Sequence, residues 1–424
     1  MTSLSRQRAI IAFAFGTIFF AYAFIQRVAP SVMTEELMRD FSVGGAALGG
    51  LSAWYFYAYA SIQLPVGILT DRFGARKLMT IAALVCAVAS IGFAHSESIL
   101  TASISRALIG ASVAFGFVGT LSIASAAFSA RRFSMLAGIV QAVGMLGAIM
   151  GQAPLRIAIE SIGWRQTSLA LGIAAIALAV AIFAAFPAQQ NNISRQIGKD
   201  VKTPSTFNGL MQVLRNPQSW LCAGTGFGLT ATMLAFAGLW AVPWLSVRYG
   251  LNKTESASIA SLLFLGWAIA SPMMGWLSDH IGRRKPVMLT GCIFNLLFIS
   301  LILFAGAENT VIISVLFLAT GISGSAMTVV FGTIRELNSG DLGNTSLGLM
   351  NMFVVGSGAV MQPAIGWLLD FGWEGTMIAG ARIYSPENYS IALSSLLFVN
   401  LIALFCILAM QETFCKSHIL SANN

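Results

Sequence analysis

Charge is the scarcest thing in this chain of 424 residues: Asp, Glu, Lys and Arg together make up 9% of it, where soluble domains carry roughly 25%. A water-soluble globule is excluded. Histidine is nearly missing as well, and the three present (His95, His280 and His418) lie far apart in loops and tail, so no HExxH zinc site is available. The five cysteines (Cys86, Cys222, Cys292, Cys406 and Cys415) show no CxxC pairing, and four fall inside apolar runs, where Cys acts as a small hydrophobe. No disulfide framework, metal site or cofactor is expected. No P-loop occurs, and Gly224, Gly226 and Gly228 follow no strand, which removes a dinucleotide fingerprint. The chain carries no enzyme signature. Lacking a nucleotide-binding domain, any transport it performs has to be secondary.

Apolar length is what the chain has in abundance, with 57% of residues hydrophobic. Twelve stretches of 18 or more residues contain no charge: 9–26, 41–70, 78–96, 107–130, 133–155, 166–194, 216–247, 256–278, 286–307, 309–334, 342–369 and 388–411. A bilayer core of about 30 Å needs about 20 apolar residues of helix, and only helices or closed barrels satisfy their own backbone in lipid. Barrel strands would be about ten residues long and alternate polar with apolar, which these runs do not. The sequence predicts an all-α polytopic membrane protein with twelve transmembrane helices. Its first run, Ala9 to Met33, is too long for the apolar core of a signal peptide and lacks a small-residue cleavage site, so it reads as span 1.

A net charge of +8 could suggest nucleic acid, but its placement argues otherwise. With the N-terminus inside, sixteen of the Lys and Arg fall on the cytoplasmic side, among them Arg72, Arg76, Lys77, Lys199, Arg283 and Lys285. Six fall outside (Arg39, Arg156, Arg165, Arg248, Lys253 and Arg382), and Arg27 and Arg106 lie within spans. This is the positive-inside bias, and it predicts both termini in the cytoplasm of a cell bounded by a bacterial inner (plasma) membrane. The basicity is topological, and nucleic acid is not an expected partner.

One long polar stretch, Pro187 to Pro217, divides six spans from six. The expected domains are a six-helix bundle over 1–190, a cytoplasmic linker over 191–217 and a second six-helix bundle over 218–424. An internal repeat supports the division: Gly67, Asp71, Gly74 and Lys77 recur as Gly275, Asp279, Gly282 and Lys285 at one constant offset, and Pro154, Gly163 and Trp164 recur as Pro363, Gly372 and Trp373. Parallel six-helix halves of this kind are a known transporter architecture.

GILTDRFGARK (Gly67 to Lys77) resembles the cytoplasmic G-x-x-x-D-R-x-G-x-R-K loop of the major facilitator superfamily, and GWLSDHIGRRK (Gly275 to Lys285) is its second-half copy, with His280 in place of the usual Arg. The resemblance covers the whole chain and implies the fold of that superfamily, two pseudo-symmetric six-helix bundles. It also implies a conformational latch built from Gly67, Asp71, Arg72, Gly74, Arg76, Lys77, Gly275, Asp279, Gly282 and Arg283. The plainer alternative is that these basic residues only set topology.

Arg27 and Arg106 are the two ionisable residues set well inside spans, where a charge costs about 2.5–3.5 kcal/mol on the insertion scale. At 1.5 Å per residue both lie about 10 Å below the outer surface, and no Asp or Glu shares that depth. Two cations at one level invite an anionic group from a solute. The alternatives are that Arg27 snorkels to outer headgroups and that Arg106 ties span 4 to backbone carbonyls. Arg106-Ala-Leu-Ile-Gly110 resembles the R-x-x-x-G motif of the superfamily, associated with proton coupling in some branches. QRVAPSVM in span 1 resembles the helix-1 arginine of its organic-anion and organophosphate branch, which grips phosphate together with an arginine of helix 7. Span 7 has no arginine, and Met233 and Leu234 stand near the matching place. A carboxylate or zwitterion therefore suits the chain better than a phosphate.

Tyr22, Gln26, Tyr55, Tyr59, Gln63, Gln141, Trp240, Trp267 and Asn351 complete the expected solute-binding set, with Tyr55, Tyr59 and Gln63 on one helical face at spacing of four. Helix packing or an interfacial belt is the ordinary alternative for each. The functional expectation is a secondary active or facilitative transporter of a small anionic or zwitterionic organic solute (a carboxylate, an amino acid or peptide-like compound, a sugar acid) by alternating access. A coupling proton or counter-transported solute, the lipid bilayer and a monomeric state go with it. The alternatives are a multidrug, metabolite or siderophore exporter or an organophosphate antiporter of the same superfamily, and a receptor that does not transport. An exporter of drugs usually wants an acid inside span 1 or 4, which is missing.

Overall fold

The computed structural model describes residues 3–128, 130–185, 206–305, 309–338, 342–378 and 380–415. They form two compact units. The first holds α1 (Ser3–Val28), α2 (Thr34–Phe41), most of α3 (Gly45–Phe73), α4 (Ala75–Ala94), α5 (Ile99–Val113), α6 (Phe115–Ala127), α7 (Ala130–Met150), α8 (Ala153–Ile162) and α9 (Trp164–Ala185). The second holds α10 (Thr206–Arg215), α11 (Pro217–Ala231), a π-helical stretch Thr232–Trp240, α12 (Ala241–Tyr249), α13 (Lys253–Ile281), α14 (Lys285–Phe304), α15 (Thr310–Gly324), α16 (Thr328–Leu337), α17 (Gly343–Phe371), α18 (Pro386–Leu393) and α19 (Ser395–Ala409). A two-residue hairpin, β1 (Met377–Ile378) with β2 (Ala381–Arg382), precedes α18.

Eleven helical segments among the described residues are long and apolar enough to cross a membrane, from Gln7–Val32 to Pro386–Ala409. The remaining expected span is α3, a helix of 29 residues. The segments are apolar on every side, as membrane-spanning helices are and half-buried soluble helices are not. Exposed Val88, Leu100 and Phe405 belong to faces that lipid covers. Spans 4, 5, 10 and 12 are each made of two successive α-helices and span 7 of two with the π-helical stretch between them, and Pro65, Pro272 and Pro363 sit inside α3, α13 and α17, which the membrane setting tolerates.

The stretch read from sequence as linker contains a helix, α10, and its apolar residues explain it. Val213 is buried with Leu342 and Leu349, and Leu214 and Phe353 pack against them. Residues 186–205 lie outside the described residues. The second unit also takes in Gly44–Gly49. There the Asp370 carboxylate accepts the N–H groups of Gly45 and Ala46, both at 2.9 Å, the Tyr384 hydroxyl at 2.6 Å and Arg382 Nη1 at 3.1 Å.

Two glycines set the inner spacing of the two units in the same way. A Cβ on Gly110 of α5 would collide with the Tyr55 carbonyl of α3, and a Cβ on Gly321 of α15 would collide with the Leu263 carbonyl of α13. Backbone presses on backbone at both places because glycine has no side chain to hold the helices apart.

Candidate functional site

The first unit links six of the expected residues through hydrogen bonds and ring contacts. α1 supplies Tyr22, Gln26 and Arg27, α3 supplies Tyr55 and Tyr59, and α5 supplies Arg106 one turn before Gly110. Because Gly110 lets α5 lie against α3, the Arg106 guanidinium carbon stands 5.0 Å from the centre of the Tyr55 ring. Arg27 stands 5.8 Å from the same ring, 5.2 Å from Tyr59 and 4.3 Å from Phe24. Tyr55 and Tyr59 are stacked at 6.1 Å, and the Tyr55 hydroxyl donates to the Ala23 carbonyl at 3.1 Å. Aromatic faces are the cheapest neighbours for a desolvated guanidinium when no carboxylate is at hand.

Both arginines are buried, Arg27 at 7% exposure and Arg106 at 1%. Arg27 therefore does not snorkel to a headgroup. Arg106 does tie to backbone, but with one nitrogen only: Nη1 donates to the Gln26 carbonyl at 2.7 Å. Its Nε and Nη2 have no partner, and neither has Nε of Arg27. No ion pair joins either arginine to a carboxylate among the described residues. Nε and Nη2 form the side edge of a guanidinium, the edge that takes two oxygens of one carboxylate in parallel.

Gln26, whose carbonyl holds Arg106, is itself tied to α1 and α4. Its Nε2 donates to the Tyr22 hydroxyl at 2.6 Å and to Ser90 Oγ of α4 at 2.9 Å, and the Tyr22 hydroxyl donates to the Leu171 carbonyl at 2.9 Å. A cavity of about 10 Å³ is lined by Arg106, Gln26, Ser90 and Ser168, with Met33 and Phe93 among its apolar walls. Ser90 and Ser168 were missed from the sequence, because a serine in an apolar span carries no signal that separates a cavity wall from a helix contact.

The second unit is apolar at the corresponding places. Leu263 occupies the Tyr55 position against Gly321, and Phe317 stands one turn before Gly321 as Arg106 does before Gly110. Phe317 packs with Phe236 at 5.3 Å and Trp244 at 6.5 Å. Met233 and Leu234, where a second arginine was looked for, lie buried in the π-helical stretch. Such a stretch displaces carbonyls from their usual helical partners, and Gln362 of α17 compensates by donating to the Leu234 carbonyl at 2.8 Å. Trp240 donates in turn to the Gln362 carbonyl at 3.0 Å. Trp267 packs on the Gly324 turn beside Asn295. Gln63, Gln141 and Asn351 are half-buried.

At the second loop copy, Arg284 is the ion-pairing residue. Its Nη1 stands 2.6 Å from Asp279 and its Nη2 2.6 Å from Glu336 of α16. Burial works against its charge, but the two carboxylates outweigh burial and raise its pKa. Arg283 lies over the Phe414 ring at 5.7 Å, and His280 stacks on Trp276. Gly282 ends α13 in the left-handed conformation, φ 69°, which glycine adopts without strain. The segment after α19 closes over this loop: the Glu412 carboxylate accepts the N–H groups of Arg284 at 2.8 Å and Lys285 at 3.0 Å, and Thr413 donates to Glu336 at 2.5 Å. Lys285 Nζ donates to the Leu408 and Met410 carbonyls at the end of α19. At the first copy, Gly74 breaks the chain between α3 and α4 at φ 82°, Arg76 donates to the Phe183 carbonyl at 3.0 Å, and Lys77 lies near the Phe73 ring. Gly67 falls within α3 and Gly275 within α13, while the side chains of Asp71 and Arg72 lie outside the described residues.

A family model described as the Major Facilitator Superfamily matches residues 12–243 and 230–384. Among similar proteins, the probable sulfoacetate transporter SauU of Cupriavidus necator is 22% identical over 382 residues, which are 82% of this chain and 84% of that one. The probable galactarate/D-glucarate transporter GudP of Escherichia coli is 21% identical over 401 residues, 88% of each chain. A crystal structure of a bacterial homolog to the human lysosomal transporter Spinster, inward-facing and unoccupied, matches with a TM-score of 0.80 at 15% identity, covering 95% of this chain and 97% of that chain. At that identity the likeness establishes the fold.

Proposed function

Because this chain belongs to the Major Facilitator Superfamily, and is thus a multi-pass membrane transporter of a small molecule and not an enzyme, we propose that its cargo is a small organic anion carrying a carboxylate, with or without an ammonium group. One observation carries the reading: the Nε and Nη2 edge of Arg106, 1% exposed, has no partner, and no carboxylate is set against it among the described residues. Arg106 would take the carboxylate in a two-point contact. Arg27, across the Tyr55 ring, supplies the second positive charge, and Tyr59 with Tyr55 walls the space between them. The names of the two relatives point the same way, since sulfoacetate and the sugar diacids are organic anions.

A phosphate is disfavoured because the residues near the expected second arginine, Met233 and Leu234, are buried and apolar. Transport follows alternating access, with both termini in the cytoplasm, as the distribution of Lys and Arg supports.

The test is competition on the purified protein. A panel of monocarboxylates, sugar acids, amino acids and phosphate esters is screened by thermal shift, and the best ligand is then challenged with its matched carboxylate, phosphate and neutral amide analogues. The carboxylate should compete best. If the neutral amide competes equally well, and Arg27→Lys and Arg106→Lys both bind like the parent, the arginines are structural and the anion reading fails.

A further inference from the structure

Two helices of the first unit are tied at one level and part beyond it. α9 is drawn onto α4, since Gly172 has no side chain and a Cβ there would overlap the Ile91 side chain, and the Leu171 carbonyl next to it accepts the Tyr22 hydroxyl of α1 at 2.9 Å. From that tie toward the end of α9, the wall facing α1 carries Ala174, Ala177 and Ala181, whose side chains are too short to close the gap. The result is a groove of about 500 Å³ between α1 and α9.

The groove faces lipid and offers it nothing polar. Ile18 on its α1 wall is 46% exposed at membrane depth, and Ala174 and Ala177 opposite are exposed as well. Among the described residues Tyr22 brings the one polar side chain of the lining, and its hydroxyl is committed to the Leu171 carbonyl and to Gln26 Nε2. A polar occupant would lose its hydrogen bonds there, so the occupant is hydrocarbon. A second copy of the chain would have to bring a helix, and ten residues of helix, about 15 Å long and about 10 Å across, fill on the order of 1,000 Å³, about twice the groove. An acyl chain is narrower than a helix and enters.

One end of the groove leads to a charge. Arg8, Ile11, Phe15, Ile18, Tyr22 and Ile25 follow one another along α1 at alternating steps of three and four, which sets them on one stripe. The last four of these line the groove, and Arg8 continues the stripe seven residues before Phe15, about 10 Å further at 1.5 Å per residue. Arg8 is exposed, makes no ion pair among the described residues and stands at the start of the span Gln7–Val32, the level at which lipid headgroups lie. The acids of the first unit whose side chains are described, Glu35, Glu36, Asp40, Glu97 and Glu160, stand at the other end of its spans. We infer that the groove is a binding site for one acyl chain of an anionic phospholipid, whose phosphate Arg8 holds. This inference is independent of the solute proposed above.

The experiment uses the purified full chain, stripped of lipid in detergent, and counts bound lipid by native mass spectrometry as phosphatidylglycerol or phosphatidylcholine with the same acyl chains is added. The first phosphatidylglycerol should bind severalfold more tightly than the first phosphatidylcholine. Arg8→Gln should bring phosphatidylglycerol down to the level of phosphatidylcholine. Ala177→Phe fills the groove from an exposed position and should weaken the first binding of both lipids at least tenfold, whereas Val180→Phe, at an exposed position of α9 outside the groove, should leave both as in the parent. Phosphatidylglycerol with a photoreactive group in its acyl chain should label α1 and α9 of the parent protein, which tests the site without any variant. Equal binding of the two lipids by the parent, an equal loss in the two Phe variants, or labelling spread over other spans means ordinary solvating lipid and overturns the site. If the purified chain is a dimer that Ala177→Phe separates while lipid binding stays parental, the groove seats a second copy and the lipid reading falls.

Discussion

Adding one methyl group at Gly110 sets two effects of opposite sign against each other. In the interior of a helix, Gly→Ala ordinarily stabilises by about 1 kcal/mol through backbone entropy. Here the new Cβ would overlap the Tyr55 carbonyl, and both partners are helix backbone that cannot turn aside. Overpacking of this kind costs about 1–3 kcal/mol. Steric cost wins, so Gly110→Ala should destabilise the fold by a net of about 1 kcal/mol and lower the thermal midpoint, and the clash is relieved by α5 moving off α3. Arg106 lies one turn away and moves with α5, drawing its guanidinium off the Tyr55 ring that it now meets at 5.0 Å. Gly321→Ala supplies the control, since it makes the same collision with Leu263 in a unit without the arginines. Both variants should lose stability to a similar extent, measured by thermal unfolding in detergent, and Gly110→Ala alone should weaken binding of the panel's best carboxylate, by roughly tenfold. A Gly110→Ala protein with a raised midpoint and parental affinity refutes the reasoning, because it would show that the close approach neither strains the helices nor places Arg106.

Other perturbations reach other parts of the molecule. Arg106→Ala should weaken carboxylate binding by more than tenfold, since truncating one partner of a buried charged contact costs roughly 2–5 kcal/mol and about 1.4 kcal/mol is a factor of ten; equilibrium binding checks it. Glu336→Gln should destabilise far more than Asp279→Asn, because Glu336 is 15% exposed and Asp279 67%, and unfolding midpoints of the two variants decide it. Glu412→Gln should cost about 2 kcal/mol, because a carboxylate on two N–H groups at the start of α14 combines charged hydrogen bonds with the helix dipole, and midpoints measured with and without Glu336→Gln would show whether the two act together. Asp71→Asn should slow transport while leaving solute binding near the parental value, as counterflow and equilibrium binding would show. Single cysteines near Lys199 should resist an impermeant thiol reagent in intact cells while ones near Glu97 react.

Much of the fold was legible because lipid imposes a coarse and uniform rule: uncharged length makes a span, and prolines with polar residues separate the halves. The repeat of Gly67, Asp71, Gly74 and Lys77 carried the family. What stayed hidden was local. The helix α10 inside the expected linker depends on Val213 meeting Leu342 and Leu349, a contact between residues far apart in sequence. The ion pairs at the second loop copy depend on Glu336 and Arg284, and motif spacing alone singles out Arg283 as readily as its neighbour. The π-helical stretch depends on Gln362 reaching the Leu234 carbonyl from another helix, which no pattern within Thr232–Trp240 records. Arg27 and Arg106 were visible from the start because charge is so costly in a span, whereas Ser90 and Ser168 were not, because serine is cheap there.

The repeat also gives the difference between the units a meaning. Both use a glycine to press one helix against the backbone of another, at Gly110 on Tyr55 and Gly321 on Leu263, so the packing device has been kept twice. The residue one turn earlier has not been kept: it is Arg106 in one unit and Phe317 in the other. Around Phe317 the neighbours are Phe236 and Trp244, and around Arg106 they are Gln26 and Tyr55. An isolated guanidinium in a span is a standing cost that Phe317 shows the architecture does not require. A packing role alone would be met by an aromatic side chain in both units. The cost falls on one unit, at the one position where a glycine holds the helix close enough to bring a cation to the tyrosine ring, and this is the arrangement expected of a site that selects charge from one side and apolar shape from the other.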